Sequence, residues 1–532
     1  MRHFSSYGPV EAKAHFAVER RELVDRCVAQ LLGQPDEAGG HYFTIWGPRQ
    51  TGKTWIMRQA IEKIRERYGD KYIVGKMSMQ GAIIDDRHTP EELFRYLPNQ
   101  FDLAFKRTIA RPSEWDEFAA LFKRETGLFG DARVILLIDE FDSLRPDIID
   151  KLVSLFRDMY LARDNYVLHG LALIGVRSVL GLDSPRGSPF NVQRSLQIPN
   201  LTRDEVIELF RQYQSESGQV VEPNVVAALY ESTRGQPGLV SWFGELLTEK
   251  YNPGPDKPIA LLQWHRVYQR ALQVEWNNTL LNLGKKARGP YRAEVMKLFT
   301  DPNVAFALEQ EWCSFLYMNG IIDEAVIPDP GNDSNEKSVC RFSSPFVQHR
   351  LYSGLTYDMF KDKGPLPPIP LLDGLDDVFT PDALCVPPLL ERYRDYLKRL
   401  KENGIDPWIG QPRRQDLHYT EAVGQFHLYA WLKNALGDRC GITPEFPTGN
   451  GKVDLLLRAS PHQALIEVKS FTQTWQLQSY REQAAGYAKK LGLSAATVVV
   501  FAPTSDDAIL AKLSSEMDVD GVRVSIIAFG WV

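Results

Sequence analysis

Short apolar runs alternate with amphipathic helical patterns over the first two hundred residues of the chain. Each run is nearly continuous, and together they predict strands at residues 42–46, 72–77, 134–138, 171–174 and 196–198. Apolar residues recur at helical spacing between the strands, as in residues 55–68 and 149–160. Buried strands separated by helices indicate a parallel sheet covered by helices on both faces.

The pattern becomes mostly helical from about residue 202 to residue 251. Thr202 and Glu205 stand three residues apart, directly ahead of an apolar run, and this spacing predicts a capping box at a helix start. We therefore expect a helical region after the predicted sheet.

Helices followed by a hairpin are predicted between residues 258 and 360. One helix should end at Gly320 and lead into a strand, a polar loop over residues 328–337 and a second strand over residues 339–343. This order is typical of a winged helix. In a multidomain protein a winged helix either binds DNA or serves as a packing module, and the sequence leaves both interpretations open.

A second α/β pattern follows a linker that contains four prolines between Pro365 and Pro370. Prolines at this density favour an extended spacer and exclude a helix or a central strand. The elements predicted after the linker are a helix at residues 419–436, strands at 453–457 and 464–468, a helix at 475–491, and strands at 497–501 and 522–529. This order differs from that of the N-terminal sheet.

The composition is that of a globular protein, with 532 residues, 44% hydrophobic residues and 24% charged residues. This mixture argues against a disordered or collagen-like chain, and the length suggests several domains. The formal net charge of −6 shows no basic excess, so a role with nucleic acid would depend on local patches.

The cysteines indicate neither a disulfide framework nor a zinc site. They are odd in number, widely spaced and without a CxxC pair, and they are Cys27, Cys313, Cys340, Cys385 and Cys440. The first residues lack the apolar core of a signal peptide, and no apolar run reaches the roughly 18–20 residues needed to span a bilayer. We expect a soluble cytoplasmic protein with no membrane partner.

A phosphate-binding motif stands between the first predicted strand and the following helix. It matches GxxxxGK[ST] in the residues Gly47, Pro48, Arg49, Gln50, Thr51, Gly52, Lys53 and Thr54. Such a loop wraps backbone N–H groups around phosphates, while its lysine reaches the terminal phosphates and its last hydroxyl binds Mg²⁺. The motif predicts ATP and Mg²⁺ as cofactors.

The predicted strand at residues 134–138 ends in two acids, Asp139 and Glu140. In a parallel sheet this strand end lies beside the phosphate crevice. Asp139 is then expected to bind Mg²⁺, and Glu140 to orient or deprotonate the attacking water. Taken alone, the acids are better explained as caps of the next turn; together with the phosphate loop, the catalytic interpretation is favoured.

These residues resemble the AAA+ and related STAND ATPases over about residues 8–250. Residues 16–23 are similar to the segment that these families place near the adenine. The resemblance implies that Arg177 serves as a sensor and that Pro237, within Arg234–Leu239, lies against the nucleotide base or ribose. The structural alternatives are an arginine in a surface turn and a proline that starts a helix.

The resemblance also implies a role for an arginine finger acting in trans. Arg186 and Arg194 are candidates, and the sequence does not choose between them. Such a finger requires a homo-oligomer that assembles with nucleotide.

A second group of charged residues lies on the predicted strands 453–457 and 464–468. Side chains alternate along a strand, so Glu467 and Lys469 face the same side, and Asp454 on the neighbouring strand can meet Glu467. Two carboxylates form an oxygen-rich site suited to Mg²⁺ or Mn²⁺. A nearby lysine can position water and stabilise charge on phosphorus. The alternative is an exposed acid and lysine on an amphipathic strand.

This constellation resembles the PD-(D/E)xK nuclease superfamily over about residues 419–501. The resemblance implies metal ligation by Asp454, Glu467 and the helical Glu421, and catalytic roles for Lys469 and Gln483, with Tyr487 one turn beyond Gln483. Val453 replaces the proline of the family name. DNA is the expected substrate, rather than RNA.

Several basic residues near the site either contact the DNA backbone or form the solvated face of a helix. They are Arg392, Arg394, Lys398, Arg399, Lys401, Arg413 and Arg414.

The predicted fold class is a multidomain α/β protein. We expect a P-loop ATPase core at residues 1–215, a helical lid at 216–265, a winged helix at 266–360, a proline-rich linker at 361–380 and a restriction-endonuclease-like domain at 381–532. The leading hypothesis is an ATP-regulated, metal-dependent DNA nuclease, by architecture suited to prokaryotic defence against mobile DNA. The alternatives are a nucleotide-driven switch that binds nucleic acid or protein without cutting, and a ring-forming motor.

Overall fold

The computed structural model describes most of the chain. The described residues are 1–34, 39–175, 195–301, 303–329, 332–360, 375–402, 404–408, 421–447, 452–459, 461–471 and 473–531. Within these ranges, no helix combines the length and the apolar composition that crossing a membrane requires. Most of the predicted linker lies outside the described residues, as do Arg413 and Arg414.

The described part contains strands and helices throughout. The strands are β1 Tyr42–Trp46, β2 Tyr72–Ser78, β3 Arg133–Asp139, β4 Leu168–Gly175, β5 Ser195–Gln197, β6 Ile322–Asp329, β7 Asn332–Phe342, β8 Gly441–Pro447, β9 Lys452–Ala459, β10 His462–Ser470, β11 Ala495–Ala502, β12 Ser515–Val519 and β13 Val522–Gly530. The helices are α1 Arg21–Leu32, α2 Lys53–Tyr68, α3 Leu97–Phe105, α4 Trp115–Ala120, α5 Pro146–Leu161, α6 Arg203–Ser217, α7 Pro223–Thr233, α8 Pro237–Glu245, α9 Leu261–Gln273, α10 Asn278–Ala287, α11 Arg292–Thr300, α12 Glu311–Met318, α13 Pro345–Phe360, α14 Val386–Glu402, α15 Glu421–Leu436, α16 Gln476–Lys490 and α17 Asp507–Leu513.

The chain forms two compact units, each built from two segments. The first comprises Met1–Leu283 and Ala305–Pro345, and the second comprises Gly284–Val304 and Phe346–Val532. The region predicted as a winged helix therefore contributes to both units. Its helix α12 and its hairpin belong to the first.

The sheet of the first unit is parallel, with the strand order β2-β3-β4-β1-β5. Successive residues of β3 point to opposite faces and are buried on both. Ile135 packs into the core shared with α1 and α2, whereas Leu136 packs into the core shared with α3, α4 and α5. The predicted parallel sheet with two covered faces is confirmed. The pattern did not reveal α3 and α4, which are short.

The capping box predicted at the start of α6 is present. The backbone N–H of Glu205 donates to Thr202 Oγ1 at 3.2 Å, and the backbone N–H of Thr202 donates to Glu205 Oε2 at 2.8 Å. Local chemistry alone specified this helix start.

The hairpin of the first unit is longer than the sequence pattern predicted. Strands β6 and β7 pair from Ile322 opposite Phe342 to Asp329 opposite Asn332. The loop predicted at residues 328–337 was therefore wrong, because most of it is strand. A two-stranded ribbon exposes polar residues and needs no apolar alternation; Ser338, for example, donates to Glu324 across the strands at 2.5 Å.

The second unit contains a mixed sheet of order β12-β13-β11-β10-β9-β8. β11 is parallel to β10 and β13, whereas the pairs β8–β9, β9–β10 and β12–β13 are antiparallel. Helix α16 covers one face. Helix α15 approaches the sheet closely at Gly424, where an added Cβ would lie 2.4 Å from the Phe501 ring. The predicted order of elements is confirmed, but the edge strands β8 and β12 were missed.

Candidate functional site

The phosphate-binding motif forms the loop between β1 and the N-terminus of α2. Gly52 has a left-handed backbone conformation, with φ +91°. A residue with a side chain would be strained in this conformation. Lys53 Nζ donates to the carbonyl oxygens of Gly47 and Pro48, both at 2.7 Å, and Thr51 Oγ1 donates to Pro48 O at 2.9 Å. The loop thus curls around its own lysine.

The Lys53 ammonium lies in surroundings that suit an anion. Burial lowers the pKa of Lys53 to about 8, although the nearby carboxylates of Asp142, Glu140 and Asp139 oppose this shift. Its hydrogen bonds go to neutral carbonyl groups of the loop. A phosphate at this position would compensate the charge directly.

A hydroxyl and a carboxylate meet beside this lysine. Thr54 Oγ1 donates to Asp139 Oδ2 at 3.1 Å, and Lys76 Nζ lies 3.8 Å from the same carboxylate oxygen. Asp139 is the last residue of β3 and is 7% exposed. Hydroxyl and carboxylate oxygens are the ligands that Mg²⁺ prefers, so Thr54 and Asp139 fit a magnesium ion.

Glu140 follows the end of β3 in a backbone conformation that is rare for a non-glycine residue, with φ 52°. Burial raises the pKa of Glu140, and the neighbouring Asp139 and Asp142 raise it further. A raised pKa makes the carboxylate a better proton acceptor at neutral pH. The side chain is therefore suited to act on a water molecule near the phosphate loop.

The segment containing Pro237 contacts the phosphate loop. Gln236 Nε2 donates to Arg49 O at 3.1 Å, and the Gly238 N–H donates to Gln50 O at 3.1 Å. A Cβ added to Gly238 would lie 2.7 Å from Gln50 Cβ, so only glycine allows this approach. Pro237 is also the first residue of α8, as its structural alternative predicted.

Two side chains hold the N-terminal segment that was predicted to lie near the adenine. Trp55 Nε1 donates to Val18 O at 3.1 Å, and Gln212 Nε2 donates to Ala17 O at 3.0 Å. Trp55 directly follows the phosphate loop, and Gln212 belongs to α6. These two hydrogen bonds connect the segment to α2, which directly follows the phosphate loop, and to α6.

In the second unit, Asp454 on β9 and Glu467 on β10 lie side by side. The strands pair with Leu455 opposite Ile466, which places Asp454 next to Glu467. The Asp454 N–H donates to Glu467 Oε1 at 3.4 Å, and Asp454 Oδ2 accepts from the Val468 N–H at 2.7 Å. Both carboxylates are buried, with exposures of 7% and 1%. The predicted meeting of the two acids is present.

Lys469 connects these acids with a third. Its Nζ lies 3.3 Å from Glu467 Oε2, 3.4 Å from Glu421 Oε1 and 3.8 Å from Asp454 Oδ2. Glu421 is the first residue of α15. Three carboxylates thus converge on one cationic group that is 9% exposed. The alternative of an exposed acid and lysine on an amphipathic strand is wrong, because the group is buried.

The charges in this cluster shift one another's protonation. Burial raises the pKa of Glu467 well above its usual value, and the Asp454 carboxylate adds to this effect. Burial alone would lower the pKa of Lys469, but Asp454, Glu421 and Glu467 together hold it well above its usual value. Because three acids face one lysine, the lysine stays charged and Glu467 takes up a proton more readily.

The carboxylates of the cluster have the charge and the oxygen atoms that attract a cation, but they do not form a complete set of metal ligands. Its convergent carboxylates already surround one ammonium, so their chemistry suits a small hard cation. Across the described ranges, however, no group of three or more His, Cys, Asp or Glu side chains has an arrangement that could hold a metal ion. A metal there would require Lys469 to move aside.

One residue of α15 contacts this site, and two residues of α16 contact each other. Gln425 Nε2 donates to Asp454 O at 3.3 Å and is 1% exposed. Gln483 Nε2 donates to Tyr487 OH at 3.2 Å, so the predicted pair of α16 residues is in contact. The sequence analysis missed Gln425, although a glutamine one turn after Glu421 in an apolar helix was an available signal.

The basic residues of α14 are engaged with acidic neighbours. Arg392 donates to both oxygens of Asp377 at 2.9 and 3.0 Å, and Lys398 lies 3.6 Å from Asp507. Arg394 pairs with Glu391 at 2.5 Å. These pairs favour the interpretation of a solvated helix face.

One known protein family matches the N-terminal part of the chain. The family model described as the AAA-like domain matches residues 5–251. Residues 5–251 form an AAA-like P-loop ATPase domain. None of the curated proteins matches the chain significantly.

Distant similarity to solved structures covers roughly two thirds of the chain. The Walker-type ATPase of Pyrococcus abyssi is 15% identical, with a TM-score of 0.42, over 65% of this chain and 99% of that chain. The Aeropyrum pernix ORC1 protein in complex with DNA is 15% identical, with a TM-score of 0.32, over 64% and 93%. Cdc6p from Pyrobaculum aerophilum is 13% identical, with a TM-score of 0.36, over 66% and 98%.

Not every residue predicted for the AAA-like domain is placed. The sensor candidate Arg177 and the arginine-finger candidates Arg186 and Arg194 lie outside the described residues. Sequence reasoning also missed Lys76 and Gln236, which contact Asp139 and the phosphate loop. Lys76 belongs to no recognisable motif, and Gln236 lies within Arg234–Leu239 but was given no role there; the parallel sheet and the packing of α8 bring them to the loop.

Proposed function

We propose that the protein is a nuclease that cleaves DNA with a divalent metal ion and under the control of ATP. The observation that carries the proposal is the convergence of Asp454, Glu467 and Glu421 on a single buried cation, Lys469 Nζ. Burying the Asp454 and Glu467 carboxylates beside the half-buried Glu421 costs free energy that a purely structural site would avoid, so the cluster is better explained by cation chemistry.

At the AAA-like domain, the residues present fit ATP and Mg²⁺. Lys53 would exchange its bonds to Gly47 and Pro48 for the terminal phosphates, and Thr54 and Asp139 would hold the metal. Glu140, with its raised pKa, would accept a proton from the water that attacks the terminal phosphorus. Arg177 and Pro237 would contact the nucleotide, as the family resemblance implies.

At the second site, Asp454 and Glu467 would hold Mg²⁺ or Mn²⁺, with Glu421 as an additional ligand. A metal ion of this kind polarises a phosphate oxygen and lowers the pKa of bound water. Lys469 would then turn its ammonium towards the attacking water and the charge developing on phosphorus. Gln483, held by Tyr487, would help to position the scissile phosphate.

The finer elements of the proposal concern organisation and biological role. The helices after residue 216 would act as a lid, residues 266–360 as a winged helix, and residues 361–380 as a linker to the nuclease domain at 381–532. A STAND-type cycle with a nucleotide-dependent homo-oligomer would use Arg186 or Arg194 in trans. Defence against mobile DNA is the role that this architecture suits.

The decisive experiment is a cleavage panel on the full chain. Plasmid and single-stranded DNA are incubated with Mg²⁺, Mn²⁺ or EDTA, with and without ATP, for the wild type and Asp454→Ala. We expect metal-dependent cleavage that the substitution removes. Cleavage that survives in Asp454→Ala would overturn the assigned site. Absence of cleavage under every condition would favour the nucleotide-driven switch that binds without cutting.

A further inference from the structure

One face of α16 carries a continuous row of polar and aromatic side chains. Steps of four, three, four and three residues separate its members, which places them on one side of the helix. From the rise of 1.5 Å per residue, the row is about 21 Å long. Its members are Gln476, Tyr480, Gln483, Tyr487 and Lys490.

Members of the row contact one another in two groups, Gln476 with Tyr480 and Gln483 with Tyr487 and Lys490. Tyr480 OH donates to Gln476 Oε1 at 3.0 Å, Gln483 Nε2 donates to Tyr487 OH at 3.2 Å, and Lys490 Nζ lies 5.6 Å from the Tyr487 ring centroid. Gln483 and Lys490 are exposed, and the other three are half-buried. The two glutamine–tyrosine pairs therefore repeat the same arrangement two helical turns apart.

The opposite side of α16 is fixed to the far edge of the sheet. Arg481 donates to Ser515 Oγ on β12 at 2.6 Å, and Lys489 Nζ lies 3.1 Å from Asp520 beyond the end of β12. The strand order β12-β13-β11-β10-β9 places β10 and β9 on the other side of the helix. The row consequently faces the strands that carry Glu467 and Asp454.

We propose that this row binds single-stranded DNA and guides it to the carboxylate–lysine site. The inference rests on the proposed nuclease function and extends it beyond Gln483 and Tyr487 to Gln476, Tyr480 and Lys490. Tyrosine rings stack on unpaired bases, and amides bond to bases and phosphates. The bases of a duplex are already paired and stacked on one another, so rings that bind by stacking favour a single strand.

Fluorescence anisotropy with a labelled oligothymidylate and a labelled duplex tests the inference, using the full chain in EDTA to prevent cleavage. We expect tighter binding of the single strand by the wild type. Tyr480→Ala should weaken it about tenfold, in line with the loss of one stacked base, and Gln476→Ala about fivefold, in line with the loss of one hydrogen bond. Tyr480→Phe, which keeps the ring, should retain most of the affinity.

Gln478→Ala is the matched control, because Gln478 is exposed on the same helix and bonds to Glu482 at 3.0 Å, away from the row. Equal affinity of the wild type, Gln476→Ala and Tyr480→Ala would overturn the inference, as would tighter binding of the duplex. Failure of the proposed function looks different. In that case the wild type cleaves nothing in the metal panel, while binding still depends on the row.

Discussion

The two candidate sites each contain an enclosed lysine, and the surroundings of the two lysines are opposite. Lys53 donates to the neutral carbonyl groups of its own loop, and burial lowers its pKa to about 8. Lys469 lies within 4 Å of three carboxylates, which hold its pKa well above the usual value. The first lysine gives its hydrogen bonds to neutral carbonyl groups, with the carboxylates of Asp139, Glu140 and Asp142 nearby, whereas the second lies directly against more carboxylates than it can neutralise.

This difference indicates what each site can receive. A loop of carbonyls around an ammonium gains most from an anion, and a polyphosphate provides one. A cluster of three acids around one ammonium keeps an excess of negative charge, which a divalent cation would offset. The same residue type therefore serves opposite chemistry, because its neighbours and not its identity determine the charge balance.

The largest expected effect comes from removing one charge of the acidic cluster. Glu467→Gln keeps the side-chain volume but loses a carboxylate, and we expect metal-dependent cleavage to fall about a thousandfold, equivalent to roughly 4 kcal/mol of transition-state stabilisation. Initial rates on plasmid DNA provide the measurement. Glu516→Gln, the same change on the exposed strand β12, should leave the rate unchanged. A similar loss in both variants would argue against a specific site.

The ammonium of the second site offers a test that does not require activity. Lys469→Met removes the cation that faces the buried Asp454 and Glu467 and the half-buried Glu421, which we expect to destabilise the second unit by about 3 kcal/mol in EDTA. Mn²⁺ should restore much of this loss, because a divalent ion replaces the ammonium charge. Thermal unfolding with and without Mn²⁺ measures both effects, with Lys489→Met as the exposed control. A variant that Mn²⁺ does not stabilise would contradict a cation site.

At the first site, Lys53→Ala should weaken ATP binding roughly a hundredfold, because it removes charge-assisted hydrogen bonds to phosphate. Glu140→Gln should instead bind ATP normally and hydrolyse it slowly. Equilibrium binding of a fluorescent ATP analogue and phosphate release distinguish the two. Lys63→Ala, which alters an exposed lysine of the same helix, is the control. Full ATPase activity in Lys53→Ala would show that the phosphate-loop assignment is wrong.

The smallest expected effect is a pH dependence of nucleotide binding. Lys53 is protonated below its pKa of about 8 and loses its charge as the pH rises through that value. ATP affinity should therefore be highest below pH 8 and fall roughly tenfold between pH 7 and pH 9. The reason is that ATP binds the protonated lysine, and above the pKa the protonated fraction of Lys53 falls about tenfold with each pH unit. Binding titrations across this range measure it. The residual ATP affinity of Lys53→Ala should depend little on pH. If it fell with pH as steeply as the affinity of the wild type, the titrating group would be another residue.

Local patterns predicted a large part of this molecule. The apolar strands β1 to β4 are long enough and continuous enough for their burial on both faces to be visible in the sequence, and Thr202 with Glu205 specified a helix start by short-range bonds. The edge strand β12 and the full length of the polar hairpin escaped, because an exposed strand carries no apolar signal, and the edge strand β8 was also missed. Gln425 and Gln236 escaped because their roles depend on distant partners.

By itself, the sequence determined the phosphate loop and the family to which residues 5–251 are matched, because the loop's chemistry is contained in eight consecutive residues. It also placed Asp454 and Glu467 on adjacent strands through their alternation. Only the tertiary structure decided that Glu421 and Lys469 complete a cluster with them, and that the row on α16 lies on the side of the helix nearer β10 and β9. The reason is physical: charge balance and burial depend on groups that are far apart in the chain and meet only when the sheet and its helices have packed.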